Sequence, residues 1–250
     1  MENNSELWLS ALPLRKGDVH KYDFGHAVIY GAPQLTGATR LAAAACARVG
    51  AGLTSVLCLS NVAQVYRETL PAHIMVREDL EWSDARVSAK LYGSGGLPCD
   101  PDFEADIPIV LDADGLQGLP ERLSDNYILT PHDGEFAKAF PDIEGSRVEK
   151  AQKASKQIGA IVVLKGEETV IAHPDGRIVV NNHASPYLAT AGSGDVLAGM
   201  IVGLVAQGMP AFEACCAAVW MHGEAAIRFG VGLVASDIPE IIPEILQDLT

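Results

Sequence analysis

The chain has 250 residues, 48% of them apolar, and a formal net charge of −14 at pH 7. Length and apolar content suffice for one large α/β domain or two small ones with a sizeable core. The acidic balance excludes the basic stripe that nucleic-acid binding needs. The longest apolar run, Val196 to Val205, is glycine-interrupted and too short to cross a bilayer.

Met1 to Gly25 is acidic and mixed, with no apolar h-region, so no signal peptide is expected. Leu7 to Leu14 predicts a short helix closed by Pro13. His26 to Gly31 predicts a buried strand and Thr36 to Val49 an Ala-rich helix with Thr36 as N-cap. Leu53 to Leu59 is the next strand, which makes a βαβ unit and hence a parallel sheet. Asn61 to Thr69 is expected helical and Ile74 to Val76 extended. Further strands follow at Ala89–Tyr92, Ile107–Leu111, Tyr127–Leu129 and Ile161–Leu164, with a helix over Ser146–Ile158. Thr169–His173 and Arg177–Val180 flank Pro174-Asp175-Gly176, a hairpin signal. Helices over Asp195–Gln207, Ala211–Phe229 and about Pro239–Leu249 complete the chain. No repeat or linker interrupts it, so one domain is expected over residues 1–250. The cysteines (Cys46, Cys58, Cys99, Cys215, Cys216) are odd in number and lack a C-x-x-C, as buried thiols in a reducing cytoplasm would be.

Four strands end in polar or glycine-rich clusters: Gly93–Gly96, Asp112–Asp114, Thr130–His132 and Lys165–Gly166. Ligands of open parallel α/β sheets bind at the carboxyl ends of the strands, so these clusters should gather along one edge. The stretch Ala189 to Gly199 should join them. Its glycines, Gly192 and Gly194, permit positive φ and close approach, and the N–H groups of the following helix make an anion site. Asp195 is out of place in a phosphate cradle unless it takes a proton as a general base. The alternative is an acid that merely suits the helix dipole.

The other candidates carry similar pairs of readings. Lys165 can offset the charge of a nucleotide phosphate, with Gly166 opening the backbone, or can be a strand-end lysine reaching for water. His132 can hydrogen-bond a ligand and Glu135 can hold a water on Mg²⁺. Against that, Pro131, Asp133 and Glu135 also suit a helix N-terminus, which accounts for Glu135 better than for His132. Asp112 and Asp114, two apart, form either a metal or proton pair or a turn before Gly115. His222 reads as a packed helix residue.

Lys21 to His26 leading to Thr36-Gly37-Ala38, Leu129 to His132 with Gly134-Glu135-Phe136, Leu164-Lys165-Gly166, and Ala189 to Gly199 together resemble the NAD(P)H-hydrate dehydratases. The resemblance runs from about residue 20 to 230. It implies a ribokinase-like α/β fold, a mostly parallel central sheet with helices on both faces. It implies repair of hydrated NADH or NADPH, driven by ADP or ATP, with ADP favoured, and Mg²⁺. Asp195 would then act as base toward the hydrated ring, with Ala38, Gly95 and His132 contacting that substrate. Lys165, Gly166, Glu167, Glu168, Thr169, Gly192, Ser193 and Gly194 would hold the nucleotide. Gly93-Ser94-Gly95-Gly96-Leu97 departs from the usual Gly-Pro-Gly-Leu-Gly of the family, Asp133 stands where Pro is frequent, and Ser193 replaces threonine. The competing readings are a ribokinase-like kinase of a hydroxylated vitamin precursor or sugar, and a non-catalytic nucleotide sensor. A cytoplasmic homo-oligomer without nucleic-acid or membrane partners is the expected form.

Overall fold

In the computed structural model, which describes residues 1–15, 17–104 and 106–250, the apolar runs become strands of one nine-stranded sheet. In chain order they are β1 (His26–Tyr30), β2 (Leu53–Leu57), β3 (Met75–Arg77), β4 (Val87–Tyr92), β5 (Ile109–Leu111), β6 (Tyr127–Leu129), β7 (Ile161–Leu164), β8 (Thr169–Ala172) and β9 (Ile178–Asn181). They lie side by side as β3-β2-β1-β4-β5-β6-β7-β8-β9. Every pairing from β3 to β7 is parallel, and the expected hairpin adds β8 and β9 antiparallel at one edge.

Alternation along the strands splits the core in two. Ala27, Ile29, Leu91, Val110, Ile128, Ile161 and Val163 face one side. There they meet α1 (Thr36–Arg48), α2 (Ser60–Thr69), α5 (Ser193–Ala206), α6 (Ala211–Phe229) and α7 (Ile238–Asp248). Val28, Tyr30, Tyr92, Leu111, Leu129, Val162 and Leu164 face the other side, against α3 (Asp133–Ala139) and α4 (Arg147–Ile158). Helices therefore cover both faces, as a ribokinase-like architecture requires.

The α1–α5 contact fixes the site. A Cβ at Gly199 would lie 2.2 Å from the Ala42 carbonyl oxygen, and one at Gly203 2.8 Å from that of Cys46. Two glycines one turn apart on α5 thus let the α1 backbone approach closely, bringing the N-terminal turns of both helices to the same edge.

Three local expectations are corrected. Leu7 to Leu14 is not a helix; the backbone makes two 3₁₀ turns, Ser5–Leu7 and Leu9–Ala11, with Pro13 just beyond. Thr36 is the first helical residue of α1 rather than its cap. Leu35 holds the cap position without a side-chain bond, and the Thr39 hydroxyl instead accepts from the Ala32 N–H at 2.9 Å. The helix expected from Asp195 starts at Ser193, which puts Asp195 inside the first turn.

Candidate active site

The carboxyl ends of β4 to β7 stay in step through the backbone. The Asp112 N–H donates to the Tyr92 carbonyl at 3.0 Å, the Thr130 N–H to Leu111 at 3.0 Å and the Lys165 N–H to Pro131 at 2.8 Å. Gly93, Asp112, Thr130, His132 and Lys165 therefore follow one another along a single edge. Gly93 is needed there because a Cβ would sit 1.8 Å from the Asp112 carbonyl oxygen.

Asp112 lies at the centre of this edge, with 2% of its surface exposed. Its Oδ1 accepts from Lys165 Nζ and from the Thr130 hydroxyl, both at 2.7 Å, and its Oδ2 accepts from the Ser94 hydroxyl at 3.2 Å. Glu135 Oε2 lies 3.9 Å from the same ammonium. Burial pulls the Lys165 pKa down, but the charge and hydrogen bond of Asp112, then Glu135 and Asp195, more than offset it and leave Lys165 above its ordinary value. Asp114 does not join the group. It is exposed within the 3₁₀ turn Ala113–Leu116 and accepts from the Gln117 side chain at 2.8 Å, so of the two readings the turn holds and the Asp112–Asp114 pair is not formed. The backbone leaves the extended conformation right after Asp112, and the two side chains no longer share a face.

The glycine turn meets this edge at Lys165, whose Nζ would be 3.2 Å from a Cβ on Gly194. Gly192 takes a left-handed φ of 92° as the cap of α5. Ser193 is tied down on three atoms: its N–H reaches the Thr190 carbonyl at 3.3 Å, its hydroxyl donates to Leu188 at 2.8 Å, and its carbonyl accepts from His222 Nε2 at 2.9 Å. Of the expected anion donors, Ser193 is therefore already engaged. The Gly194 and Asp195 N–H groups have no acceptor among the described residues. The Asp195 carboxyl is pushed up to about 6, chiefly by burial, then by the charge of Asp112, and against the pull of the Lys165 charge and the polar Ser94 hydroxyl.

The expected site residues fall into two groups. In the first, a cleft of about 820 Å³ is lined by His132, Lys165, Gly166, Glu167, Thr169, Ser193 and Gly194, together with His222 and residues of the segment between Asn181 and Ala189 other than His183 and Tyr187. In the second, a Cβ at Gly95 would lie 2.7 Å from that of Ala38 and 2.5 Å from the Leu35 carbonyl oxygen, so Ala38 and Gly95 are neighbours.

Several side chains do something other than expected. His132 caps α3: its Nδ1 accepts the Gly134 and Glu135 N–H groups at 3.0 and 3.2 Å, while Glu135 Oε2 accepts the His132 N–H at 2.8 Å. The helix-terminus reading thus accounts for both residues, although the His132 ring stays more than half exposed at the cleft. Gly166 lines the cleft, and the place a Cβ would take there is filled by Arg147. A Cβ there would strike the Arg147 guanidinium at 1.7 Å, because Arg147 lies over it and donates to the Lys165 and Glu168 carbonyls at 2.8 Å. Glu168 is exposed and holds this loop through its carbonyl. Sequence reasoning gave Ser94, Thr130 and Arg147 no role of their own and read His222 as a packed helix residue, which it is, although its ring also bonds the Ser193 carbonyl. The strand-end position of Ser94 and Thr130 is the only signal that could have found any of them.

The profile of the family described as NAD(P)H-hydrate dehydratase (Carb_kinase) matches residues 26–246. An ADP-dependent (S)-NAD(P)H-hydrate dehydratase from Neisseria meningitidis is 36% identical over 247 residues, covering 88% of this chain and 83% of that protein. A bifunctional NAD(P)H-hydrate repair enzyme from Salinibacter ruber is also 36% identical, over 94% of this chain but 51% of that protein. The chain spans about half the length of the bifunctional relatives it matches. Among solved structures, the ADP/ATP-dependent NAD(P)H-hydrate dehydratase of Bacillus subtilis, co-crystallised with ATP and Mg²⁺, superimposes with a TM-score of 0.89 at 29% identity, over 100% of this chain and 98% of that one. A ribokinase-like superfamily protein from Enterococcus faecalis gives 0.85 at 24% identity, over 99% and 95% of the two chains, a likeness of fold.

Proposed function

We propose, from the premise that the chain belongs to the NAD(P)H-hydrate dehydratase family, that it restores hydrated NADH or NADPH to the dihydropyridine at the expense of a nucleoside phosphate, ADP before ATP. The observation that carries this reading is the Asp195 carboxyl. It is raised to about 6 and sits on the first turn of α5, beside two free N–H groups and Lys165. A carboxylate there weakens phosphate binding, so its place is explained by proton transfer.

In this mechanism the Gly194 and Asp195 N–H groups, the α5 dipole and Lys165 hold the phosphoryl group to be transferred. The hydrated cofactor places its ring on the Ala38–Gly95 side and extends to His132, which lines the cleft beside Lys165. Asp195 takes the proton of the ring hydroxyl as its oxygen attacks the terminal phosphorus and displaces AMP from ADP, or ADP from ATP. Phosphate then leaves from the ring carbon far more readily than hydroxide would, the adjacent ring carbon gives up a proton, and the double bond reforms. The cleft mainly supplies position and exclusion of water.

Mg²⁺ fits this site as a companion of the phosphates. Among the described residues no cluster of three metal ligands exists, and the groups around Lys165 are carboxylates that would otherwise repel phosphate. Glu135 Oε2 already accepts the His132 N–H, yet a carboxylate has lone pairs left for a metal-bound water. The ion would neutralise phosphate charge.

Residues 1–250 act as one unit in this reading, within a cytoplasmic homo-oligomer without nucleic-acid or membrane partners; among the described residues no helix is long and apolar enough to cross a membrane. The test is to incubate the protein with NADPH hydrate, Mg²⁺ and ADP or ATP. Dihydropyridine absorbance should return with release of inorganic phosphate. A stable phosphorylated product from a vitamin precursor or sugar, with NADPH hydrate untouched, would establish the kinase reading instead.

A further inference from the structure

His222 is buried on α6, with 7% of its surface exposed, and its Nε2 lies 2.9 Å from the Ser193 carbonyl oxygen. A carbonyl only accepts, so Nε2 carries the proton and Nδ1 the lone pair. Burial outweighs the hydrogen bond and lowers the imidazole to about 4, so the ring donates without bringing a charge to the cleft at neutral pH.

The geometry around His222 constrains one peptide plane. The Ser193–Gly194 peptide is planar and trans, so its C=O and N–H point in opposite directions. With the carbonyl held by His222, the Gly194 N–H is directed away from α6. The position of α6 is itself tightly set: a Cβ on Gly223 would come 1.8 Å from the His183 carbonyl oxygen, so the helix backbone lies directly on the segment that forms the far wall of the cleft. The Ser193 hydroxyl on Leu188 secures the other side of the turn.

We propose that His222 is the positioning residue of the anion turn, its Nε2–H fixing the Ser193–Gly194 peptide so that the Gly194 N–H faces the nucleotide phosphate. This rests on the nucleotide site proposed above. His222 touches no reacting atom in this role; it acts through the Ser193 carbonyl.

Isosteric amides test it. The Nε2 of glutamine reaches as far from the backbone as histidine Nε2, whereas asparagine Nδ2 falls where histidine Nδ1 is. His222→Gln, His222→Asn and His222→Leu are compared with the parent by thermal melting, by calorimetric titration with Mg-ADP and by kcat and KM for each substrate. His222→Gln should bind Mg-ADP within about twofold of the parent. His222→Asn should lose on the order of tenfold in nucleotide affinity, the scale of one hydrogen bond, with KM for NADPH hydrate unchanged. His222→Leu should match His222→Asn. Should the leucine variant not fold, the two amides decide alone. Equal Mg-ADP affinity in the Gln and Asn variants, whether both parental or both impaired, overturns the proposal, since a packing role does not distinguish where the N–H sits. A parent that binds Mg-ADP but leaves NADPH hydrate untouched overturns the dehydratase reading and spares this one. A parent that binds no nucleotide overturns both.

Discussion

Asp195→Asn removes the proton-accepting carboxylate while keeping its size and part of its hydrogen bonding. With the carboxyl at about 6, the parent is about nine-tenths ionised at pH 7 and about one-tenth at pH 5. Turnover should therefore rise roughly tenfold between those two pH values and level off above. A positioned base contributes about 10²–10⁴-fold, so the variant should lose at least about a hundredfold in kcat. Nucleotide affinity should stay the same or tighten, because a negative charge near the phosphates is gone. Stability should move in the opposite direction to activity. A carboxyl raised by folding contributes stability below its unfolded value of 3.8, and that contribution is lost as pH rises through about 6. At pH 7 the displacement corresponds to roughly 3 kcal/mol at most, less whatever partial solvent contact relieves. The asparagine variant should accordingly melt several degrees above the parent at pH 7.5 and together with it near pH 3.5. Differential scanning calorimetry at the two pH values and a dihydropyridine absorbance assay read both halves. Parental turnover together with an unchanged melting temperature at pH 7.5 would refute the reasoning, leaving Asp195 as an acid that merely suits the helix dipole.

Lys165→Met should weaken Mg-ADP binding more than binding of the hydrated cofactor, and should also destabilise the fold by about 3–5 kcal/mol by leaving Asp112 buried without its partner. Adding Asp112→Asn should restore most of that stability but not the nucleotide affinity; denaturant melts of the four proteins in the cycle check it, and additive losses would contradict the buried pair. His132→Ala should lower stability by about 1 kcal/mol through loss of the α3 cap, whereas His132→Asn, a good cap, should keep the melting temperature and raise KM for the hydrate alone. If both variants bind the hydrate like the parent, His132 is a cap and nothing more. Gly199→Ala should cost upwards of about 3 kcal/mol, since its Cβ would force α1 away from α5. A melting temperature at or above the parent's, as helix propensity alone would give, would show that the two helices are not locked at this crossing.

Much of the fold was written locally. The apolar runs around β1, β4, β5, β6 and β7 lie within a residue or two of their observed bounds, and the hairpin and α6 fall where Gly176 and the Ala211–Phe229 pattern put them. Period and turn chemistry act over a few residues, so a short window contains them. The polar ends of four adjacent strands likewise implied a common edge, because a parallel sheet brings its carboxyl ends together whatever the strand order. What those ends do to one another was not legible. Asp112 meets Lys165 from 53 residues away, and His222 meets Ser193 from 29 away. Both contacts exist because β5 and β7 flank β6 and because α6 packs on α5. The same holds for Gly166, which is glycine because Arg147 of α4 crosses above it, and for Asp195, whose proton affinity is set by burial and by the charge of Asp112. Sequence determined which residues stand at the edge. Only the packing of distant elements decided which of them are paired, which are free and which are held neutral, because desolvation and charge depend on neighbours brought close in space rather than along the chain.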